Sequence, residues 1–315
     1  MRYLFLIFAL LLSSNSVFAM GEIPSTPKLI TPEAEFGRTF GLPGSGDAQF
    51  YYPHDVDLGL IGDMKTGLNN LFITDTGNNR VQRLDEDGGY VYQFGSFGSE
   101  NGKFNAPVGI AVDFNFRIYV SEKDNDRVQL FDIQGNFLRE VATSEYGYKT
   151  IDDPSGLAVD SLGNLYIADS GNDRVLKFSD TGDFLGVVGS FGYGAGFFDR
   201  PADVAVDRDN YVYVADTYNH RIQKLDYDGQ PVMMFGSFGS GPGELSFPQG
   251  IAVDNLFVYV ADTGNNRVQL FDKQGKFLLM AGGLNMPTGI SLGSGGLVYI
   301  VDSGNHRIQE LKVSY

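Results

Sequence analysis

The chain contains no cysteine and no tryptophan, and basic residues are scarce. The absence of thiols excludes disulfide bridges, thiol nucleophiles and thiolate metal sites. Lys and Arg number 23 against 39 Asp and Glu, which gives a formal charge of −16. Because nucleic-acid binding depends on cationic side chains that meet phosphates, this balance argues against a nucleic-acid partner and against anionic membrane surfaces.

An apolar run near the N-terminus is too short to span a bilayer. It extends from Tyr3 to Leu12 after the positive charge of Arg2, and the small residues Val17 and Ala19 follow it. A bilayer-spanning helix needs ~20 apolar residues, whereas this pattern is typical of a secretory signal peptide. We therefore expect residues 1–19 to be a signal peptide that is cleaved after Ala19. The mature protein would then be exported, to the periplasm or outside the cell, without membrane insertion.

A motif of eight residues occurs six times and organises the rest of the chain. At Asp262–Gln269 it reads Asp-Thr-Gly-Asn-Asn-Arg-Val-Gln, and its arginines lie at positions 80, 127, 174, 221, 267 and 307. The spacings are 47, 47, 47, 46 and 40 residues. A nearly fixed period in this range, with short strands and no helical periodicity, is typical of the blades of a β-propeller.

Each unit predicts four strands, a to d, separated by turn residues. In the third unit these are residues 156–160, 164–169, 174–178 and 183–188. Strands a and b are apolar almost throughout, which indicates that both of their faces are covered. The first unit carries a seven-residue insertion close to residues 60–66, in its a–b loop.

The two ends of the array predict how the ring closes. The sixth unit stops after strand c, and residues 35–41 resemble the end of a strand d although no strand a, b or c precedes them. Since closure removes exposed sheet edges, we expect the N-terminal strand to complete the last blade. The fold prediction is all-β: a six-bladed propeller of four-stranded antiparallel blades over residues 33–315, after a linker at 20–32.

The repeated motif resembles the NHL repeat. Its units here carry Pro-x-Gly-Ile/Leu-Ala-Val-Asp, then Leu/Val-Tyr-Ile/Val-Ala-Asp-Thr/Ser-Gly-Asn-x-Arg-Val/Ile-Gln, over residues ~33–315. The resemblance implies a six-bladed propeller. It does not imply one activity, because the family includes RNA-binding propellers, protein-interaction and sensor propellers and an amidating lyase.

The motif residues themselves are expected to be structural, since a residue needed once for chemistry would not recur in every blade. The acid and Asn would cap the b–c turn, and the Arg fork would hold turn carbonyls or the acid. These structural positions are Asp75, Arg80, Arg127, Asp169, Arg174, Asp216, Arg221, Asp262, Arg267, Asp302 and Arg307.

Function is expected where blades depart from the repeat. The d–a and b–c loops share one face of a propeller, here called the loop face. The departures that make it a candidate binding face are His54, Asp55, Asp203, Tyr218, His220 and His306, together with Glu122–Asp124 in blade two. The d–a loops add Tyr51, Tyr52, Tyr146, Tyr148, Phe197 and Phe198. The strand-a alanines, such as Ala111 and Ala158, are too small and apolar to predict a ring of ligands in the channel.

These features favour an exported, monomeric binding scaffold for a protein, peptide or glycan, with no cofactor. The alternative is a metal-dependent lyase or hydrolase that resembles the amidating lyase. Its zinc site would need three histidines near the axis, and His54 alone stands in register. We therefore expect no metal site and no catalytic residue.

Overall fold

A computed structural model describes residues 31–60, 69–142 and 150–315. The predicted signal peptide, most of the linker, and Tyr146 and Tyr148 lie outside these ranges, as does most of the insertion near 60–66.

Six four-stranded antiparallel sheets follow one another along the chain and form the blades of a propeller, as predicted. Before them come β1 (Glu33–Phe40) and a short parallel pair, β2 (Leu42–Pro43) and β3 (Gln49–Phe50). Blade one consists of β4 (Val56–Leu60), β5 (Asn69–Asp75), β6 (Arg80–Asp85) and β7 (Tyr90–Phe94). Blade two consists of β8 (Pro107–Val112), β9 (Ile118–Glu122), β10 (Arg127–Phe131) and β11 (Phe137–Ala142). Blade three consists of β12 (Pro154–Val159), β13 (Leu165–Asp169), β14 (Arg174–Phe178) and β15 (Phe184–Val188).

The second half of the ring repeats this arrangement. Blade four consists of β16 (Pro201–Val206), β17 (Val212–Asp216), β18 (Arg221–Leu225) and β19 (Pro231–Phe235). Blade five consists of β20 (Gly250–Val253), β21 (Phe257–Asp262), β22 (Arg267–Asp272) and β23 (Phe277–Gly282). Blade six has β24 (Pro287–Leu292), β25 (Leu297–Asp302) and β26 (Arg307–Ser314) from its own part of the chain.

Strand β1 supplies the missing fourth strand of blade six, which confirms the predicted closure. It pairs antiparallel with β26, from Glu33 opposite Ser314 to Phe40 opposite Ile308, with a register shift near its middle. At that shift Arg38 forms an ion pair with Glu310 at 2.9 Å. Both ends of the ring are therefore held in one sheet, and no blade is left with three strands.

Strands a and b are apolar throughout because neighbouring blades cover both of their faces. In β5, Leu71 and Ile73 pack in a cluster with residues of blade six, whereas Phe72 between them packs in a cluster with blade two. The core consists of six such clusters, one between each pair of adjacent blades. The first strand of each blade lines the central channel, so residues of these strands are candidates for a functional site.

Short 3-10 turns stand where the b–c loops of five blades begin, and blade two has a plain turn there. They span Thr76–Asn78, Ser170–Asn172, Thr217–Asn219, Thr263–Asn265 and Ser303–Asn305, and a further turn, Ser294–Gly296, lies in the last a–b loop. The residue after each b–c turn has a left-handed backbone; His220 and His306, for example, have φ of 54° and 56°. In the part of the chain that the structure covers, no helix has the length and apolar character needed to cross a membrane.

Candidate functional site

The loop face carries a depression around the propeller axis, here called the mouth. Its volume is about 340 Å³, and blades one to five all contribute to it. The residue after the opening proline of strand a supplies the inner wall in each of these blades, and the b–c turns supply the outer wall. Three hydroxyls of the wall, those of Thr76, Ser170 and Thr217, donate to backbone carbonyls of the next blade. The other polar residues of the wall are His54, Lys123, Asp153, Ser155, Arg200, Tyr218 and Gln249.

His54 is the histidine of the mouth, and its ring is neutral at ordinary pH. Burial lowers its pKa to about 4, and the positive charge of Lys123 acts in the same direction. The backbone of His54 is fixed between blades, because its carbonyl accepts hydrogen bonds from the N–H of Gly289 and the hydroxyl of Thr288 in blade six. A neutral imidazole in a cavity can accept or donate one hydrogen bond.

Two cations also reach the mouth. Arg200 donates from Nη2 to the Asp153 carboxylate at 2.5 Å, and the rest of its guanidinium has no further partner among the residues described. Lys123 is exposed and makes no ion pair within the described ranges. Ser155 and Gln249 add a hydroxyl and an amide that make no side-chain hydrogen bond within the same ranges. The mouth can therefore engage a polar ligand that carries an acidic group.

Aromatic side chains stand exposed at the rim of the loop face. Tyr51, Tyr52 and Tyr218 are each about half exposed. Tyr218 packs edge-on against Phe247 of the next d–a loop, with ring centroids 5.4 Å apart. Phe198, by contrast, is wholly buried in the core between blades three and four, so its expected place on this face is wrong. Its neighbour Phe197 is exposed.

Asp55 and Asp203 lie below the mouth, in the channel. Each takes the place where the other four blades have glycine, and each connects its blade to the next one. The two oxygens of Asp55 accept the N–H groups of Val56 and of Ile110 in blade two. Asp203 likewise accepts the N–H groups of Val204 and of Ile251 in blade five.

These carboxylates also explain why the neighbouring strands have glycine at two positions, Gly289 and Gly156. A Cβ on Gly289 would lie 2.1 Å from an oxygen of Asp55, and one on Gly156 would lie 1.9 Å from an oxygen of Asp203. Each aspartate therefore requires glycine in the preceding blade. The two acids act as structural connectors between blades, and they line a channel cavity of about 280 Å³.

A third carboxylate shows that the channel is less apolar than the alanines predicted. Asp57 stands in the register of the strand-a alanines, with Ser291 at the same place in blade six, and the two are hydrogen-bonded at 2.9 Å. Burial raises the pKa of Asp55, Asp57 and Asp203, and the charge of Asp55 adds to the effect on Asp203. The alanines describe this position in four of the six blades, so the polar side chains of the other two were not predicted.

His220 and His306 lie apart from the mouth and hold adjacent blades together. In each b–c turn the left-handed residue accepts a hydrogen bond from a backbone N–H in the next d–a loop. The imidazole Nδ1 is the acceptor for Phe247 N–H at 3.1 Å and for Tyr52 N–H at 2.9 Å. Asn79, Asp126, Asp173 and Asn266 perform the same role through carboxylate or amide oxygens at 2.7–3.0 Å.

The three histidines are therefore not one ligand set. Within the described residues, the one group of side chains close enough to share a metal ion is Asp126, Asp152 and Asp153, which contains no histidine. A zinc site of the kind that the lyase alternative needs does not fit these side chains.

The repeated acid and arginine fix the loops of the loop face. In blade five the buried Asp262 accepts from Arg267 Nε at 2.7 Å, and Arg267 donates further to the carbonyls of Ser240, Gly241 and Glu244. Glu122 takes the acid position in blade two, where its oxygen accepts from Arg127 at 2.5 Å. The motif thus positions the d–a loops whose inner ends form the mouth.

Sequence reasoning missed Arg200, Asp153 and Gln249. Each of them lies directly before or after a proline that opens a strand a, as His54 does. This shared position relative to the proline could have indicated that they lie near His54. Lys123 belongs to Glu122–Asp124, which is a departure from the repeat in blade two, and it does line the mouth. Asp57 lies two residues after the departure Asp55 and was not recognised as part of the site.

A family model for the NHL repeat matches residues 152–178, 198–225, 245–271 and 284–311. Together with the six-bladed ring, these four matches decide the family. The chain is an NHL-repeat protein. No curated protein matches its sequence significantly.

Several solved structures share the fold of this NHL propeller at low sequence identity. A gluconolactonase from Xanthomonas campestris is 17% identical with a TM-score of 0.64, over 85% of this chain and 88% of its own. A virginiamycin B lyase from Staphylococcus aureus with quinupristin is 15% identical with a TM-score of 0.59, over 89% and 99%. A chain of a nidogen/laminin complex is 18% identical with a TM-score of 0.60, over 76% and 84%. Identities this low establish a common fold for the NHL propeller and no more.

Proposed function

We propose that this NHL propeller is an exported, monomeric binding scaffold that holds a protein, peptide or glycan partner on its loop face. The observation that carries the proposal is the mouth, where five blades bring polar side chains together around one axis. Several of these side chains have hydrogen-bonding capacity that the fold itself does not use. Loops on a rigid scaffold are a common place for binding residues.

The composition of the loop face indicates what the partner carries. Arg200 and Lys123 suit an acidic group at the centre, while Tyr51, Tyr52 and Tyr218 offer exposed aromatic area around it. Aromatic residues and arginine are enriched at protein interfaces, and tyrosine adds little conformational entropy cost. We therefore expect a partner with one acidic group flanked by apolar or sugar rings.

Binding is tested with two charge reversals at the mouth. Exported proteins, acidic peptides and acidic oligosaccharides are offered to immobilised wild type and to a Lys123→Glu/Arg200→Glu double variant. The matched control is Lys276→Glu/Lys312→Glu, which changes the same charges away from the mouth. We expect a ligand that the wild type and the control retain and that the mouth variant loses. Equal retention by all three proteins would contradict the proposal.

Export is a separate part of the proposal. It rests on the sequence of residues 1–19, and mass spectrometry of the protein recovered outside the cytoplasm tests it. We expect a mature N-terminus at Met20. Intact Met1 in the cytoplasmic fraction alone would contradict export and leave the binding proposal standing.

A lyase is the second candidate, because a neutral histidine in a cavity can accept a proton or bind a metal ion. The mouth supplies His54 alone as a histidine. Elemental analysis before and after chelation decides the metal-dependent form. One tightly held zinc ion per chain, lost in His54→Ala, would favour the lyase over the scaffold.

A further inference from the structure

Gly186 interrupts a row of side chains that fills the space between neighbouring blades. It stands directly opposite Lys177 in the pairing of β14 with β15. The residues at the same place in four other blades all have side chains: Tyr92, Arg139, Met233 and Leu279. In blade one, for example, Tyr92 reaches the next blade and donates a hydrogen bond to the Ile133 carbonyl. Blade three alone among these five presents no side chain here.

Nothing in the fold requires glycine at this position. A Cβ added to Gly186 would meet no atom within 4 Å, and the residue does not have a left-handed backbone. Glycine inside a strand weakens the strand, and it often marks a place where a ligand approaches closely. The missing side chain is therefore not explained by strain or crowding.

The absent side chain leaves a cavity of about 320 Å³ between blades three and four. It lies at the outer strands, on the side of the ring and away from the mouth. Its inner wall is apolar, formed by Val175, Val188, Val212 and Leu225. This volume is within the range of small-ligand sites, which begins at about 300 Å³.

One cation faces this apolar space. The Lys177 ammonium lies 3.3 Å from the ring centre of Tyr227 and 5.0 Å from that of Tyr166, and it forms no ion pair within the described ranges. Asp226 and Asp228 also line the cavity, and one oxygen of Asp226, Oδ1, accepts the N–H groups of Asp228 and Gln230. An ammonium between two aromatic rings at the edge of an apolar cavity can meet one carboxylate while an apolar group enters below it.

We propose that this cavity binds a small monocarboxylic acid with an apolar or aromatic tail. The tail fills the space that Gly186 leaves, and the carboxylate contacts Lys177. The site is independent of the loop face, so its ligand and the partner of the mouth can be bound together.

Calorimetric titration of the full mature protein with a panel of aryl and alkyl monocarboxylic acids, 3-phenylpropanoate among them, tests the site. We expect saturable binding that is roughly millimolar or tighter. The Lys177→Gln variant should weaken it at least about tenfold, as should replacing the acid by its neutral amide, because a charged hydrogen bond is lost in each case. Lys276→Gln, which neutralises an exposed lysine elsewhere, should bind like the wild type.

A second pair of variants tests the cavity itself. Gly186→Met introduces the side chain that Met233 has in blade four, and Gly186→Ala adds one methyl group where no atom lies within 4 Å. We expect Gly186→Met to abolish binding without lowering the melting temperature, and Gly186→Ala to weaken it. The proposal is overturned if no acid of the panel binds, if binding persists in Gly186→Met, or if Lys276→Gln weakens it as much as Lys177→Gln.

Discussion

The imidazole of His306 accepts a hydrogen bond from the backbone N–H of Tyr52, 2.9 Å away, and so joins the last blade to the first. Five other pairs do the same between successive blades, with Asn, Asp or His as the acceptor. Histidine at this position is thus one of three residue types that accept the same hydrogen bond between blades. Its presence does not indicate a metal site or catalysis.

The first prediction concerns this connection. His306→Ala should lower the free energy of unfolding by about 1 kcal/mol, because one hydrogen bond between blades is lost. His306→Asn should restore most of it, since Asn79 and Asn266 already accept the same bond. Urea unfolding measures both. If Asn is no better than Ala, the imidazole contributes through its stacking on Tyr51 instead.

The second prediction concerns His54 and low pH. Its folded-state pKa is lowered to about 4, so the unfolded chain binds the proton first as the pH falls. The stability that this group contributes is fully present above pH ~6.5 and is lost as the pH falls towards 4. The loss should be on the order of 2–3 kcal/mol. His54→Gln should remove this part of the pH dependence, and an unchanged slope in urea titrations between these pH values would contradict the assignment.

The third prediction concerns the channel carboxylates and has the opposite sign. Burial raises the pKa of Asp203 in the folded protein, so its contribution to stability is present at low pH and is lost as the pH rises through the folded-state pKa. Asp203→Asn should be less stable than the wild type at low pH, by about 1 kcal/mol, because its amide can accept only one of the two N–H groups.

The difference between the two proteins should shrink or reverse at alkaline pH, where the wild type carries a buried charge. Parallel melting curves across the pH range would show that Asp203 does not titrate there. Asp57→Asn is a second test of the same account, since burial also raises the pKa of Asp57.

The fourth prediction compares two repeat arginines. Arg267 donates to three carbonyls of its d–a loop in addition to Asp262, whereas Arg307 contacts Asp302 and no d–a carbonyl. The d–a loop beside Arg307 is the one that is seven residues shorter. Either arginine changed to Met leaves a buried acid unpaired, a large loss. Arg267→Met should cost about 1–3 kcal/mol more than Arg307→Met, and equal losses in urea would contradict this account.

The fold could be predicted from the sequence because the same motif occurs once in every blade. Six copies of the motif fix the blade, and the strand-d residues at 35–41 fix the closure. Strand boundaries in the third unit differ from the prediction by two residues or fewer, with β12 beginning at Pro154 and not at Gly156. In each blade the motif acid and arginine pair across one turn, a local relation that spacing reveals.

The site could be predicted only in part, because its members come from different blades at similar positions. His54 and Tyr218 reach the mouth, as expected of the loop face, whereas Asp55 and Asp203 lie below it in the channel. Arg200 and Asp153 were missed, because their ion pair joins residues that are 47 positions apart. The cavity at Gly186 was also not predicted. A single glycine in a strand is informative only when it is compared with the residues at the same position in the other blades.

The pairing of β1 with β26 in blade six determines when the ring can close during synthesis. Arg38 and Glu310 meet across 272 positions of the chain. The strand that emerges early from the ribosome therefore has no partner until nearly the whole polypeptide has been made. Contacts of such long range make folding slow. During that interval β1 exposes unpaired edges, so misassembly with another nascent copy is the characteristic hazard of this architecture.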